Sequence, residues 1–372
     1  MCLCTVVRHS IFICYCTEST FNDSRSIYAL YLSMYWNVFL LFQLIFFPRL
    51  TGPVQDIQKI QLSGFAQGTT WHITYYAKDS VLKKTQADSI LSQLDSSLSI
   101  YKPWSLISRF NASHNGITVD EHLAAVVKTS IEAWEQSGGV FDITIQPLVA
   151  AWGFSAKPVK KYPDSAKIHS LLRCTGTDKI KLQGRRLIKT KPCITIDVDG
   201  IAQGYSVDVI ANFLEQNNIN NYIVEIGGEL RIKGRKKPGN EKMKIGIEAP
   251  GDYVFESPVM QKIIAVDEGA VTTSGSYRKF HESNGKKFSH TIDPKTGYPT
   301  QNELVSVTVY ANDAITADAY DNVLMAMGLQ KALAFAEEKE DIAAYFIYKK
   351  PNGSIADTAS SRFYRLFVKG ER

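Results

Sequence analysis

The chain has 372 residues, of which 45% are hydrophobic and 21% are charged. This composition is that of a globular protein and excludes a collagenous, coiled-coil or largely disordered chain. The 42 lysines and arginines and 37 acidic residues give a formal net charge of +5. Such a small surplus gives no case for nucleic acid as a partner, because that would need a dense basic surface.

Residues 27–47 read IYALYLSMYWNVFLLFQLIFF and contain no charged side chain. As a helix they would be about 30 Å long, which is enough to cross a bilayer. We predict that residues 1–50 are a leader with either a signal peptide or a retained membrane anchor, because these two kinds of segment look alike here. Translation starts at Met1 or at Met34, which opens a compact apolar leader of its own. Residues 51–372 are predicted to form one globular domain.

The six cysteines are unevenly distributed: four form two Cys-x-Cys pairs within residues 1–16. These pairs lack the spacing and the histidine partners of zinc sites, so we assign no metal to them. The other two are Cys174 and Cys193. They either form a disulfide outside the cytoplasm or are two small buried hydrophobes, and we favour the second interpretation.

Residues 51–63 read as a polar connector, and periodic apolar residues beyond them predict both strands and helices. Strands are expected at 71–75 and in YIVEI, ELRIK, LVSVTVYA, IAAYFIY and RFYRLFV, and helices over 83–98, over 121–136 and in ITADAYDNVLMAMG. Strands and helices do not alternate strictly. We therefore predict an α+β fold, a single mixed domain around one shared cleft, rather than a doubly wound sheet.

The usual signatures of P-loop hydrolysis, Rossmann redox chemistry, α/β-hydrolase acyl transfer and zincin proteolysis do not occur in the sequence. Three groups of residues remain as candidates. The first is Asp318, Asp321 and Asn322, which a helix would place on one face. Their oxygens suit Mg2+. Acidic residues near a helix N-terminus are also favoured by the helix dipole alone, and on these residues alone that second interpretation is favoured.

The second group lies in IDVDGIAQGYSVD, where Asp197 and Asp199 are expected to end a strand. Gly200 and Gly204 would let the backbone approach a ligand closely, and the helix expected from about Ala202 could direct N–H groups at phosphate oxygens. An ordinary glycine turn between a strand and a helix explains the same pattern, and both interpretations stay open.

The third group combines the Thr273-Ser274-Gly275 segment with His290 and Asp293. A Ser/His/Asp set is typical of hydrolases, but the serine lacks a nucleophile-elbow sequence. The segment from Asp293 to Gly297 is also typical of a turn. Each group alone is therefore a weak indication of function.

Together, these segments resemble the ApbE family, the FAD:protein FMN transferases. The matching stretches extend from about Gly64 to Gly328 and include GTTWHITYY, SIYKPWSLISRFN, GGVFDITIQPLVAAWGF, IDVDGIAQGYSVD, YIVEIGGELRIKG, TTSGSY, SHTIDPKTGYP and ADAYDNVLMAMG. The resemblance implies an α+β fold and a Mg2+-dependent reaction. The FMN half of FAD would be moved to a threonine or serine hydroxyl of another protein through a phosphoester, with release of AMP.

The resemblance also implies roles for individual residues. Gly200, Asp318, Asp321 and Asn322 match the metal site. Tyr101, Val140, Phe141, Asp142, Asp197, Gln203 and Thr273 are expected to line the FAD pocket. For the base that takes the acceptor proton we choose His290, with Asp293 to orient it.

Three positions depart from the family pattern. Gln203 replaces a common lysine, Glu229 replaces the commoner aspartate, and Asn322 stands where threonine is common, although its amide oxygen can still bind Mg2+. These departures bear on cofactor affinity and on the balance between transfer and FAD hydrolysis. FAD pyrophosphate hydrolysis to FMN and AMP, and a non-catalytic extracytoplasmic flavin-binding protein, are the alternative functions.

The expected partner is an acceptor protein with an Asp-Gly-x-Thr/Ser-Gly-Ala-Thr-like motif, in a membrane or extracytoplasmic electron-transfer system. This motif does not occur in the chain itself. With the hydrophobic segment 27–47, the resemblance places the protein at the bacterial inner membrane, with its catalytic domain facing the periplasm.

Overall fold

A computed structural model describes residues 56–155, 159, 161–249, 260–276, 280–283, 286–289 and 291–368. The predicted leader, its apolar segment 27–47 and the alternative starts lie outside these residues. Within the described part of the chain, no helix is both long and apolar enough to cross a membrane.

Fifteen strands and nine α-helices are present in the described residues. The strands are β1 Gln58–Ala66, β2 Thr69–Ala77, β3 Gly116–Thr118, β4 Ile180–Gln183, β5 Arg186–Lys189, β6 Tyr222–Ile226, β7 Glu229–Lys233, β8 Met243–Glu248, β9 Met260–Val266, β10 Glu268–Gly275, β11 Phe280–Ser283, β12 Lys286–Ser289, β13 Leu304–Ala311, β14 Ile342–Lys349 and β15 Ile355–Ala359. The helices are α1 Lys84–Leu98, α2 Leu106–Ala112, α3 Glu121–Gln136, α4 Gln146–Ala151, α5 Ser165–Leu172, α6 Ala202–Gln216, α7 Ala314–Met327, α8 Leu329–Glu338 and α9 Ser361–Tyr364.

An eight-stranded sheet in the order β1-β2-β6-β7-β10-β13-β14-β15 organises the fold. Every neighbouring pair in it is antiparallel, which confirms the predicted α+β class. Side chains alternate between its two faces. Ile73 and Val224 join a core cluster with the helices, whereas Ile232 and Tyr345 join a second cluster with β8, β9 and α9. Both faces of the central part of the sheet are therefore buried.

The helices predicted over 83–98 and 121–136 are confirmed as α1 and α3, and the strand predicted in LVSVTVYA is confirmed as β13. The expected polar connector over 51–63 is wrong where the structure describes it, because β1 begins at Gln58 and pairs with β2 along its whole length. An edge strand with one solvent-facing side contains few apolar residues, so its sequence resembles a connector.

The strand expected in RFYRLFV is wrong except at its end. Ser360 precedes the short helix α9, and the fully buried Phe363 stacks on Tyr345. Phe367 contacts the same ring from beyond the helix, where its main chain forms a bridge with Ile264 of β9. The segment therefore covers β14 with a short helix, and only its last residues pair with a strand.

Cys174 and Cys193 form a disulfide, with Cα atoms 5.6 Å apart. The favoured interpretation, two separate buried thiols, is therefore wrong. The sequence shows how far apart the two cysteines lie along the chain, but only the fold brings them within bonding distance.

Candidate active site where two helices meet

The predicted metal-ligand residues of α7 lie at its buried face. Asp318 is 4% exposed and Asp321 is 1% exposed. α7 packs on β10 and β13 and also against α6. The spacing of i, i+3 and i+4 therefore places Asp318, Asp321 and Asn322 together, as a helix requires.

Gly200, just before α6, completes this group. The Asn322 side-chain nitrogen donates to Gly200 O at 3.2 Å, to Asp318 O at 3.0 Å and to Asp321 Oδ1 at 2.9 Å. On the other side, the Ser274 hydroxyl lies 3.5 Å from Asn322 Oδ1. All four residues predicted to form the metal site are thus brought together, and the third sequence segment approaches them through Ser274.

Burial governs the charge of the two carboxyl groups. It raises the pKa of Asp318 to about 7; the Gly204 N–H opposes this increase, while the charges of Asp208 and Asp199 add to it. Burial, and then the charges of Asp318 and Glu229, raise the pKa of Asp321 well above its ordinary value. The two buried acids therefore resist being ionised at the same time. A cation bound at this site would stabilise their charged forms.

The donor set consists only of oxygens. In the described part of the chain, no group of three or more His, Cys, Asp or Glu side chains is arranged to hold a metal ion. The group here instead combines two carboxylates with a main-chain carbonyl and a side-chain amide. Hard divalent cations accept such mixed oxygen ligands, and Mg2+ commonly uses only a few from the protein.

Gly204, in the first turn of α6, lies at the crossing of the two helices. Its N–H donates to Asp318 Oδ2 at 2.8 Å. A Cβ at this position would lie 2.3 Å from Ala314 O and 2.7 Å from the Cβ of Asp318. Glycine is therefore required for this close approach rather than for a left-handed backbone.

We expect Gly204→Ala to lower the free energy of unfolding by about 1–3 kcal/mol, although alanine is the better helix former. The reason is that the added methyl meets the backbone of α7, which has little room to move. Urea unfolding followed by circular dichroism measures the change. Gly239→Ala is the matched control, because the three atoms nearest to a Cβ there belong to the flexible carboxylate end of Glu241. Equal stability of the Gly204→Ala and wild-type proteins would contradict this packing.

The segment before Gly200 is not the expected strand. Asn111 forms two hydrogen bonds with the main chain of Ile196, at 2.9 and 2.7 Å. Lys189 Nζ donates to Ile194 O at 2.9 Å. Side chains thus replace a sheet partner at residues 194–196, and the Asp197 N–H donates to Ile143 O at 2.8 Å, so this segment belongs to no strand. Sequence reasoning missed Asn111 and Lys189, although Asn111 belongs to the matching stretch SIYKPWSLISRFN.

Among the predicted pocket residues, Tyr101 contacts the segment that carries Asp197 and Asp199. Its ring is 54% exposed, and its hydroxyl donates to Asp199 Oδ2 at 3.0 Å. Burial of the hydroxyl and then the negative charge of Asp199 raise the pKa of Tyr101. Tyr101 therefore remains protonated and, as a largely exposed residue, lies beside Asp199 in the segment that leads into α6.

Val140 and Phe141 follow the glycines that end α3, and Phe141 is buried. Asp142 is also buried, and its carboxylate accepts four hydrogen bonds, two from Thr144 and two from Thr177. Asp142 thus joins this segment to the loop that follows Cys174. Its carboxylate is already engaged, and its predicted contact with FAD stays a prediction.

Gln203 and Thr273 lie near the turn between β6 and β7. A Cβ on Gly227 would be 3.0 Å from Gln203 Nε2, so the glutamine side chain lies against this turn. The Thr273 N–H donates to the buried Glu229 at 3.4 Å, and its hydroxyl lies 2.9 Å from that of Thr308. Glu229, one of the departures from the family pattern, is therefore part of the acidic surroundings of the site.

Of the two predicted proton-transfer residues, His290 lies outside the described residues. Asp293 lies in a turn, where its carboxylate accepts from the Lys295 N–H at 2.8 Å and from the Thr296 hydroxyl at 3.0 Å. The Gly297 N–H closes the turn by donating to Asp293 O at 2.7 Å. The turn expected at this point is confirmed, and the catalytic roles of His290 and Asp293 stay predictions.

Comparison with known proteins agrees with this geometry. The ApbE family model matches residues 67–346. The chain is 36% identical to the FAD:protein FMN transferase of Haemophilus influenzae over 323 residues, which cover 82% of this chain and 91% of the relative. It is also 36% identical to the protein of that name from Vibrio cholerae over 328 residues, which cover 86% and 96% of the two chains.

Solved structures give the same result. The flavin transferase ApbE of Vibrio cholerae superposes with a TM-score of 0.74 at 34% identity, over 84% of this chain and 100% of that one. The apo flavinyl transferase ApbE of Pseudomonas stutzeri superposes with a TM-score of 0.76 at 32% identity, over 85% and 99%. From the match to the family model, the sequence identity and the shared fold, the chain belongs to the ApbE family.

Proposed function

We propose that the protein is a Mg2+-dependent FAD:protein FMN transferase. The observation that carries the proposal is the convergence of the two buried carboxyl groups of Asp318 and Asp321 with the oxygens of Gly200 and Asn322, in a chain whose relatives are named for this reaction. A divalent cation bound there would neutralise the pyrophosphate of FAD and stabilise the charge that develops on the leaving phosphate.

The residues fit such a cation. The Asn322 amide nitrogen lies within hydrogen-bond distance of three oxygens, and such a set of oxygens would also stabilise a positive charge. Turning the amide about its terminal bond would present Oδ1 in the same place, because the two ends of the group have nearly the same shape. Asp318 and Asp321, whose pKa values are raised by burial, would give up their protons as the cation binds.

In the proposed reaction, the oxygen of an acceptor threonine or serine attacks the phosphorus on the FMN side of the pyrophosphate. A new P–O bond forms as the bond to the bridging oxygen breaks, and AMP departs with that oxygen. The hydroxyl proton must go to a base, for which we propose His290, oriented by the turn of Asp293. The exposed ring of Tyr101 would cover an aromatic ring of FAD, while Val140, Phe141, Asp142, Asp197, Gln203 and Thr273 line the pocket.

We also propose that residues 27–47 hold the protein at, or direct it across, the inner membrane, with the catalytic domain in the periplasm. The Cys174–Cys193 disulfide supports an oxidising compartment, because disulfides persist there and are rare in the cytosol. The proposed acceptor is a protein of a membrane or extracytoplasmic electron-transfer system with an Asp-Gly-x-Thr/Ser-Gly-Ala-Thr-like motif.

Intact-mass measurement of an acceptor domain tests the transfer. We expect incubation with the protein, FAD and Mg2+ to add one FMN group to the acceptor, which is the mass of FMN less one water, and to release one AMP. An acceptor whose motif threonine is changed to alanine should gain no mass, and EDTA should prevent the gain with the normal acceptor.

The two alternative functions give different products. FMN and AMP that accumulate without any gain in acceptor mass would indicate a FAD pyrophosphatase. FAD that is recovered intact after long incubation with Mg2+ and a panel of acceptors would indicate a flavin-binding protein. Either result would overturn the proposed transfer.

A further inference from the structure

Helices α6 and α7 each use a carboxylate of their second turn to accept main-chain N–H groups from the first turn of the other helix. From α7, Asp318 Oδ2 accepts the N–H of Gly204 in α6. In the opposite direction, Asp208 of α6 accepts the N–H groups of Ala314 and Ile315, the first two residues of α7, at 3.0 and 2.8 Å. Each helix therefore satisfies main-chain donors of the other.

Helix starts leave N–H groups without partners inside the helix, and buried ones must find partners elsewhere. In α7, Asp313 accepts the third of these groups, from Thr316, at 3.0 Å. Asp208 supplies the acceptors for the first two. Without its carboxylate, one buried and one partly buried donor of α7 would lose their partner at the point where the helix contacts α6.

Asp208 is itself held firmly. It is 6% exposed, and its Oδ1 lies 2.7 Å from the guanidinium of Arg231 on β7. Arg231 also approaches Glu215, farther along α6, at 3.9 Å. The carboxylate thus joins three elements of the fold: α6, the start of α7 and the central sheet.

The candidate cation site is divided between the same two helices. Gly200 O comes from the segment that leads into α6, whereas Asp318, Asp321 and Asn322 belong to α7. The 3.2 Å contact between Asn322 and Gly200 O therefore depends on the position of α7 relative to α6. The hydrogen bonds of Asp208 fix that position one turn before Asp318.

We propose that Asp208 is a positioning residue for the cation site, which holds the start of α7 against α6 so that the ligands from the two helices converge. This inference rests on the proposed function, because it assumes that the site holds a divalent cation. Groups that orient metal ligands commonly change metal affinity by about 10–100-fold when they are removed.

Mn2+ binding to the purified full chain tests the inference, with electron paramagnetic resonance as a readout that needs no turnover. We expect Asp208→Asn to weaken Mn2+ binding about tenfold or more, because the amide keeps the size of the side chain but can accept only through one oxygen. The Mg2+ concentration for half-maximal FMN transfer should rise by a similar factor, with little change in the KM for the acceptor.

Glu215→Gln is the matched control, since Glu215 is the other carboxylate near Arg231 on the same helix and contacts Arg231, Lys233 and Tyr222. It should bind Mn2+ within about twofold of the wild type. If Asp208→Asn does not fold by circular dichroism, Asp208→Glu replaces it, because glutamate keeps the charge opposite Arg231 but displaces the oxygens by one methylene. This variant should fold and should bind Mn2+ about tenfold more weakly than the wild type.

Wild-type Mn2+ affinity in Asp208→Asn, or in Asp208→Glu if the former does not fold, would overturn the inference. So would an equal loss of affinity in Glu215→Gln, because the effect would then belong to the Arg231 network. In both cases FMN transfer by the wild type would leave the proposed function intact. A wild-type protein that neither binds Mn2+ nor transfers FMN would overturn the proposed function and this inference with it.

Discussion

Asp318→Asn is expected to reduce FMN transfer about a thousandfold, equivalent to about 4 kcal/mol of lost transition-state stabilisation. The variant removes one of the two buried carboxylates of the candidate cation site, while its amide oxygen can still accept the Gly204 N–H. The initial rate of acceptor mass gain, at saturating FAD and over a range of Mg2+ concentrations, measures the effect.

The fold should survive this change. Because burial raises the pKa of Asp318 to about 7, the folded protein without a cation holds this proton more tightly than the unfolded chain does. The contribution of Asp318 to stability is therefore present at acidic pH and is lost as the pH rises through about 7. Asparagine is neutral and therefore does not carry the free-energy cost of a buried charge. In EDTA at pH 8 the variant should therefore be at least as stable as the wild type.

Asp313→Asn is the matched control for Asp318→Asn, since Asp313 begins the same helix but only caps its first turn. Its activity should stay close to that of the wild type. Wild-type activity in Asp318→Asn would show that this carboxylate does not hold the cation. An equal loss in Asp313→Asn would instead assign the effect to the integrity of α7.

Replacing Cys174 and Cys193 together with serine is expected to lower the free energy of unfolding by about 3 kcal/mol. The disulfide closes a chain segment of 19 residues, and opening it increases the conformational freedom of the unfolded chain. Cys193 also directly precedes the segment that carries Asp197 and Asp199. We therefore expect weaker FAD binding as well, measured by fluorescence titration alongside urea unfolding.

Dithiothreitol provides the control for the disulfide. It should destabilise the wild type by about the same amount and leave the double variant unchanged, with the four cysteines of residues 1–16 present in both proteins. A wild type whose urea midpoint does not respond to dithiothreitol would show that the two thiols are not bonded, which was the interpretation favoured by the sequence.

Long periodic elements could be predicted from the sequence because their apolar faces repeat locally. The bounds of α3 and β13 match their predictions, and the i, i+3, i+4 spacing of Asp318, Asp321 and Asn322 required only that α7 be a helix. The failures share a different cause. β1 is an edge strand with few apolar residues, and the segment before Gly200 is held by Asn111 and Lys189 rather than by a sheet.

By itself, the sequence determined the α+β class, the resemblance to the ApbE family and the residue types available for a cation and for flavin. These conclusions follow from local periodicity and from the order of short motifs, and both can be read from the sequence without knowledge of the fold. Only the tertiary structure decided that Cys174 and Cys193 are bonded and that Asp208 joins the starts of α6 and α7. Both depend on distances between segments far apart in the chain, and packing of the whole core sets those distances.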